Sequence, residues 1–347
     1  MSSTKIRCGT QCLICDYPIH FDTYYGCSHN CRYCFADNKN QLSNIRPQNQ
    51  VNNIKRFIEG KRTVETNFCD WNIPLHWGAN SDPFQKCEYQ YQKSLECLKL
   101  FADTNYPFIV STKNPCMLLE NPYFDLIKKS NCVLQISMVC SRYDKIEKGA
   151  PKYEERLKAM AKLTDNVKRI IIRVQPYFVD CFVDVINEIP KYKINGAYGI
   201  VIEGYCSFKR NDKLKHLHHL GKKFDYPVEI LAPQYKYIKE ICHENNLKFF
   251  CGEERLRFLG DDLSCCGTMG LDDFIPNKYN VEHLAHDKIN AIPTKSMLEN
   301  DCSQPFKSFR QTTAWAHEIR GMNFEELTHK MGDYYIDWYS DLRKGWE

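Results

Sequence analysis

No apolar run in this 347-residue chain approaches the roughly 18 residues that a membrane-spanning helix needs. No basic stretch leads into an apolar one at Met1-Ser2-Ser3-Thr4-Lys5, so the first residues lack a signal-peptide pattern. Low-complexity tracts are missing too. The excess of positive charge is small, +4, and does not by itself call for a nucleic-acid partner. These absences lead us to expect a soluble, unprocessed, cytoplasmic protein with no membrane attachment.

What the chain has in quantity is cysteine, 19 residues. Secreted disulfide scaffolds this rich in thiols are usually short. Here the cysteines fall in metal-like spacings, which makes metal or cluster ligation the expectation for at least six of them. At 43% hydrophobic residues the chain can bury a real core, which excludes a disordered protein.

Apolar, β-branched runs alternate with helix-patterned stretches. Strands are predicted at Thr23–Cys27, Asn72–Gly78, Phe108–Thr112, Val133–Val139, Arg169–Val174, Ala197–Ile202 and Lys248–Cys251. Helices are predicted over Lys86–Ala102, Met117–Lys128 and Lys152–Leu163. Short buried runs separated by helices imply βαβ units with right-handed crossovers and a parallel sheet. About six repeats are too few for an eight-fold barrel, so the expected fold is α/β, a partial, open (β/α)6 barrel. Its functional groups belong at the C-terminal ends of the strands. The expected organisation is a cysteine-rich segment over 1–20, a barrel core over 21–205, barrel completion with a late cysteine cluster over 206–279, and a helical extension over 280–347.

Cys27-Ser28-His29-Asn30-Cys31-Arg32-Tyr33-Cys34 is the most informative stretch. Three thiolates at this spacing can converge on one face of an iron–sulfur cube, where four cysteines are the usual complement, and so leave one iron open. A zinc knuckle completed by a distant fourth ligand is the alternative. The stretch Tyr24 to Ala36 resembles the cluster loop of radical S-adenosylmethionine (SAM) enzymes, in the spore photoproduct lyase-like branch. Trp77 to Gln85, containing Ser81-Asp82-Pro83, is similar to that branch's Ser/Thr-Asp-Pro-Tyr-Gln strand end. Ser111-Thr112-Lys113, Gln135-Ile136-Ser137 and Pro151 to Leu157 resemble further segments in the same order.

The resemblance covers roughly residues 20–205. It implies that Cys27, Cys31 and Cys34 hold a 4Fe–4S cluster whose free iron binds SAM, with SAM contacts from Ser81, Asp82, Lys113 and Ser137. It further implies a 5′-deoxyadenosyl radical and a one-electron donor such as flavodoxin or ferredoxin. Read from chemistry alone, Asp82 can equally cap the helix after Pro83, Lys113 can be a solvated lysine and Ser137 a small core residue. Arg173, on an apolar strand, is either a charge near the cofactor or a barrel-end ion pair. The branch's hydrogen-donating cysteine is replaced by Ala79, which puts thymine-dimer repair in doubt and leaves Cys69, Cys87 or Tyr25 as substitutes.

Cys8, Cys12 and Cys15 repeat the same spacing but carry Ile14 where the main loop has Tyr33. We assign them to a second centre, an auxiliary 4Fe–4S cluster completed by Cys251, Cys265 or Cys266, with a structural zinc site or inert core cysteines as the alternatives. Other cysteines, including Cys132, Cys140 and Cys181, read as core residues. The basic run from Lys209 to Lys223 is either a solvated helix face or a phosphate-binding surface. A nucleic-acid base or nucleotide is the expected substrate class. The alternatives are a peptide or small metabolite near the second centre, and a non-catalytic zinc or iron–sulfur module that binds nucleic acid.

Overall fold

Strands buried on both faces need continuous apolar sequence, and that is the pattern from which this sheet is built. The computed structural model describes residues 7–8, 15–34, 44–61, 73–208, 214–220, 223–262 and 264–276. Cys12, Cys69, residues 209–213 of the basic run and the expected helical extension of 280–347 lie outside them, and of Cys8 only the backbone is described.

In chain order, the elements begin with β1 (Arg7–Cys8), β2 (Ile19–Phe21), β3 (Tyr24–Tyr25), β4 (Arg46–Pro47), α1 (Val51–Ile58) and β5 (Leu75–Trp77). Next come α2 (Glu88–Tyr91), α3 (Lys93–Thr104), β6 (Phe108–Thr112), α4 (Tyr123–Ile127), β7 (Cys132–Ser137), α5 (Tyr153–Leu163) and β8 (Arg169–Tyr177). The series closes with α6 (Phe182–Ile194), β9 (Gly199–Gly204), β10 (His218–Leu220), β11 (Lys223–Asp225), α7 (Val228–Glu244) and β12 (Lys248–Cys251). The main sheet runs β1-β2-β5-β6-β7-β8-β9-β12, and every pair except β1–β2 is parallel. Six strand–helix units and a closing strand form the partial (β/α)6 barrel.

Strand alternation sorts β8 into two faces. Ile170, Ile172 and Val174 share one, and Ile171, Arg173 and Gln175 share the other, which is the concave interior. Around Trp77 the outer layer is aromatic. Its ring lies 5.3 Å from Phe21, 5.5 Å from Phe84 and 6.0 Å from Phe101. Phe101 stacks on Phe108 at 4.2 Å, which locks α3 onto β5 and β6.

Several boundaries differ from expectation for identifiable reasons. The first barrel strand is β2, a few residues before Thr23. Asp22 turns away to accept the backbone N–H groups of Asn80 and Ser81, and Tyr24–Tyr25 peels off to pair with β4. The helix predicted over Lys86–Ala102 breaks at Gln92, which has φ 51°. Glu88, fully buried, accepts the N–H groups of Ser94 and Leu95 and so starts α3 afresh. The predicted Met117–Lys128 helix becomes a single turn at Met117–Leu119 followed by α4, with Pro122 at the break. Helices α6 and α7 were hidden from pattern reading by Pro190 and Pro233 inside them. The described end of the basic run is a β-hairpin of β10 and β11, not a helix face. No helix among the described residues is long and apolar enough to cross a membrane.

Replacing Trp77 by Ala removes the hub of this aromatic layer and is expected to cost roughly 3–5 kcal/mol of unfolding free energy. Val183→Ala, at a position 65% exposed on α6, should stay within about 0.5 kcal/mol of wild type. Urea titration followed by circular dichroism checks both.

Candidate functional site

The loop of Cys27, Cys31 and Cys34 leaves β3 at the C-terminal edge of the sheet. All three cysteines are free thiols, Cys31 buried and the other two half-buried. A turn closes the loop through the Cys34 N–H to the Cys31 carbonyl at 3.1 Å, and Asn30 takes the left-handed conformation that asparagine tolerates, with φ 47°.

Three side chains after β5 hold this loop from one side. The Ser81 hydroxyl donates to the Tyr24 carbonyl at 2.6 Å. Gln85, fully buried, accepts from the Ser28 N–H at 2.7 Å and donates to the Gly26 carbonyl at 3.0 Å, gripping the backbone on both sides of Cys27. Asp82 sits between. Its Oδ1 accepts from the Phe84 N–H at 2.9 Å and the Thr112 hydroxyl at 2.8 Å. Its Oδ2 accepts from the Lys113 N–H at 2.6 Å and faces His29 Nε2 at 3.0 Å. Burial raises its proton affinity, but His29 and the two backbone donors outweigh that, so the Asp82 carboxyl lies below its ordinary value. The helix expected after Asp82 does not begin there: α2 starts at Glu88, and Asp82 instead closes a turn through the Phe84 N–H and faces His29.

From the other side the loop rests on the segment between β7 and α5. His29 Nδ1 lies 3.0 Å from the Gly149 carbonyl, and the Gly149 N–H donates to the His29 carbonyl at 3.0 Å. Both ring nitrogens of His29 therefore face oxygens, one of Gly149 and one of Asp82. The Arg32 N–H donates to the Ile146 carbonyl at 3.0 Å. The approach is so close that a Cβ on Gly149 would stand 2.3 Å from the Ser28 carbonyl oxygen and 2.7 Å from the His29 Cα.

Glu147 joins the second group. It accepts from the Tyr33 hydroxyl, pairs with Arg156 at 2.6 Å and faces Lys113 Nζ at 3.8 Å. Burial raises the Glu147 carboxyl, and the Lys113 and Arg156 cations more than offset it. Arg156, itself buried, also donates to the Ser137 and Pro151 carbonyls at 2.8 Å each. Lys113 Nζ stands 5.6 Å from the centre of the Tyr33 ring. Burial raises the Cys27 thiol to about 12, with Asp82 adding to it, and raises Cys31 to about 11 against the pull of Lys113. A metal centre would have to displace those protons.

Below the loop the concave face carries a connected polar row. His76 Nε2 lies 3.1 Å from the Ser111 hydroxyl, which donates to Gln135 at 2.8 Å. Gln135 also accepts from Arg173 at 2.8 Å, and Arg173 donates on to Gln175, which donates to Glu203. Arg173 is thus neither an isolated charge nor a simple ion pair. It sits at the middle of a hydrogen-bonded chain.

The second cysteine group is brought together across the open seam of the barrel. Cys15, before β2, interacts electrostatically with Cys265 and Cys266, and Cys265 with Cys251 at the end of β12. Arg257 acts on Cys15, Cys251 and Cys265. Tyr17 fastens the seam by donating to the Phe274 carbonyl at 2.9 Å and bonding Thr268 at 2.7 Å. Burial raises the Cys15 and Cys251 thiols, whereas a hydrogen bond with Cys266 lowers Cys265 to about 5. Sequence reading gave no role to Glu147 and Gly149, which belong to no matched segment, nor to Gln85 and Gln135, which stand in matched segments. Arg156 lay in a matched segment without an assigned role.

No protein-family model matches the chain. It is similar to the uncharacterized protein Rv2578c of Mycobacterium tuberculosis, 23% identical over 186 residues, which cover 50% of this chain and 51% of that protein. The protein Mb2609c of Mycobacterium bovis matches equally. The chain spans about half the length of these curated relatives. Among solved structures, Streptococcus suis SuiB bound to precursor peptide SuiA aligns at TM-score 0.50 and 14% identity, over 95% of this chain and 67% of that one. SuiB bound to S-adenosylmethionine aligns at TM-score 0.49 and 11% identity, over 69% of this chain and 51% of that one. The first of these shows a shared fold.

Gly149→Ala should push the cysteine loop off its support, at a cost of roughly 1–3 kcal/mol for overpacking. The expected result is a clear fall in iron bound per chain after anaerobic loading, with far-ultraviolet circular dichroism unchanged. Wild-type iron content in the variant would show that the close approach is not needed.

Proposed function

We propose that this chain is a radical SAM enzyme in which Cys27, Cys31 and Cys34 hold a 4Fe–4S cluster. The single observation that carries the reading is a three-thiol loop gripped from two sides at the C-terminal edge of a partial (β/α)6 barrel. The donor set is all sulfur, which suits iron–sulfur chemistry. The cations of Lys113 and Arg156 nearby suit an anionic thiolate-bound centre.

The bound cluster and SAM would supply one-electron reductive cleavage to a 5′-deoxyadenosyl radical, the cofactor's own chemistry. In this reading Ser81 and Asp82 act on SAM through the loop, since their oxygens are engaged by Tyr24, His29, Phe84, Thr112 and Lys113. Lys113 and Ser137, at neighbouring strand ends, are the residues we assign to the methionine moiety, and Arg173 to the floor of the cofactor pocket. The electron donor is a small carrier such as flavodoxin or ferredoxin. For Cys8, Cys12 and Cys15 with Cys251, Cys265 and Cys266 we keep the auxiliary 4Fe–4S centre, with zinc as the alternative.

The substrate we favour is a nucleic-acid base or nucleotide, on the segments resembling the spore photoproduct lyase-like branch. With Ala79 in place of the branch's cysteine, the reaction differs from thymine-dimer repair. The peptide bound by SuiB keeps a peptide substrate as the second reading. For a nucleic-acid substrate, single-stranded DNA should bind with affinity that falls steeply with salt, and salt-independent binding would favour the peptide.

Anaerobic loading with iron and sulfide should give a brown protein with roughly eight irons if both centres fill. SAM and dithionite should then yield 5′-deoxyadenosine, and Cys31→Ala should abolish it while leaving the fold intact. A colourless, zinc-loaded protein that leaves SAM unchanged would instead identify a non-catalytic binding module.

A further inference from the structure

Cys140 and Cys181 read as plain core residues in the sequence, yet the fold sets them side by side. Cys140 follows β7, and Cys181 closes the single turn that leads from β8 into α6. Their sulfurs and a carboxylate oxygen of Asp184 all lie within 4.8 Å of one another. Both cysteines are free and buried. They are one layer from solvent, since the neighbouring Arg142 side chain is 58% exposed and Asp184 is half-buried.

A cation is the first ligand such a trio brings to mind, but Arg142 already holds Asp184 at 2.6 Å and also donates to the Asp180 carbonyl at 3.3 Å. A metal ion would have to sit against that guanidinium, which disfavours it. A covalent bond between the two sulfurs needs no such displacement. We propose that Cys140 and Cys181 are a redox-active dithiol that closes to a disulfide joining the β7–α5 and β8–α6 loops.

Other features agree. The hydrogen bond from Cys140, the Arg142 cation and Tyr143 all favour the thiolate of Cys181, whose thiol lies below its ordinary value. The two loops are also where the cysteine-loop aromatic is packed. Tyr143 lies 6.0 Å and Phe178 6.3 Å from the Tyr33 ring, and the Tyr143 hydroxyl donates to the Pro176 carbonyl at 2.8 Å. A cross-link between Cys140 and Cys181 therefore ties together the two segments that carry those rings.

With a small disulfide as oxidant, the Cys181 thiolate attacks one of its sulfurs and releases the first thiolate. Cys140 then attacks Cys181, its proton passing to the second leaving thiolate. Two protein thiols lose two electrons and two protons, and the small disulfide becomes two thiols. This chemistry uses neither SAM nor a cluster, so it stands or falls separately from the function proposed above.

The test exposes the iron-loaded, full-length protein anaerobically to 2-hydroxyethyl disulfide, blocks free thiols with N-ethylmaleimide after denaturation, and maps peptides without reduction. The expected product is a Cys140–Cys181 cross-linked peptide two hydrogens lighter than the dithiol pair, reversed by a thiol reductant. Recovery of both cysteines as maleimide adducts, under conditions that oxidise other cysteines of the chain, would overturn the proposal. So would one equivalent of zinc per chain that is lost in both Cys140→Ser and Cys181→Ser. Mapping the wild-type protein keeps the first outcome independent of whether either variant folds.

Discussion

A carboxylate taken out of water must find its hydrogen bonds inside the protein, and Asp82 is such a group. It is buried, and its two oxygens face three donors and the ring of His29. The cost of leaving any of them unmet is large enough to fix positions. Because Thr112 and Lys113 end β6, Phe84 follows β5 and His29 belongs to the cysteine loop, one side chain ties three segments to a common point. Gln85 and Ser81 extend that grip to the backbone around Cys27. Glu147 performs the matching task on the far side, with Tyr33, Lys113 and Arg156. The cysteine loop is short of regular structure, and these two buried acids supply its order.

Much of the architecture was readable in advance. Strands such as Phe108–Thr112 and Lys248–Cys251 appear at their predicted limits because short aromatic and β-branched runs mark them locally. The three cysteines were legible because their spacing is local. Gly149 was not, and Gln85 was visible in its segment but not in its role, since the meaning of each is a contact with a loop far away in sequence. Ser81 and Asp82 were visible as a motif, but only the fold reveals that their oxygens are committed to the protein. The start of the first strand was misplaced because Asp22 is engaged by a turn nearly sixty residues on.

The thiols outside the main loop follow the same rule. Cys15 meets Cys265 and Cys266 because the segment after β12 runs back past β8 and β7 to the residues before β2, where Tyr17 holds Thr268 and Phe274. Cys140 meets Cys181 because β7 and β8 are parallel neighbours whose following loops leave the same edge of the sheet. In both cases the partner is set by topology, which no spacing of cysteines encodes.

The segment after β12 has a consequence for the concave face. Arg169, at the start of β8, donates to the carbonyls of Gly267 and Met269, and Gln135 donates from mid-strand to the Cys266 carbonyl. A Cβ on Gly267 would stand 2.3 Å from Ile171 on the concave face. The lower half of the vessel is thus corked by its own chain. Among the described residues, the polar row of Gln135, Arg173 and Glu203 has the chain's own later segment as its floor, and the sulfur loop stands at the opposite, C-terminal edge.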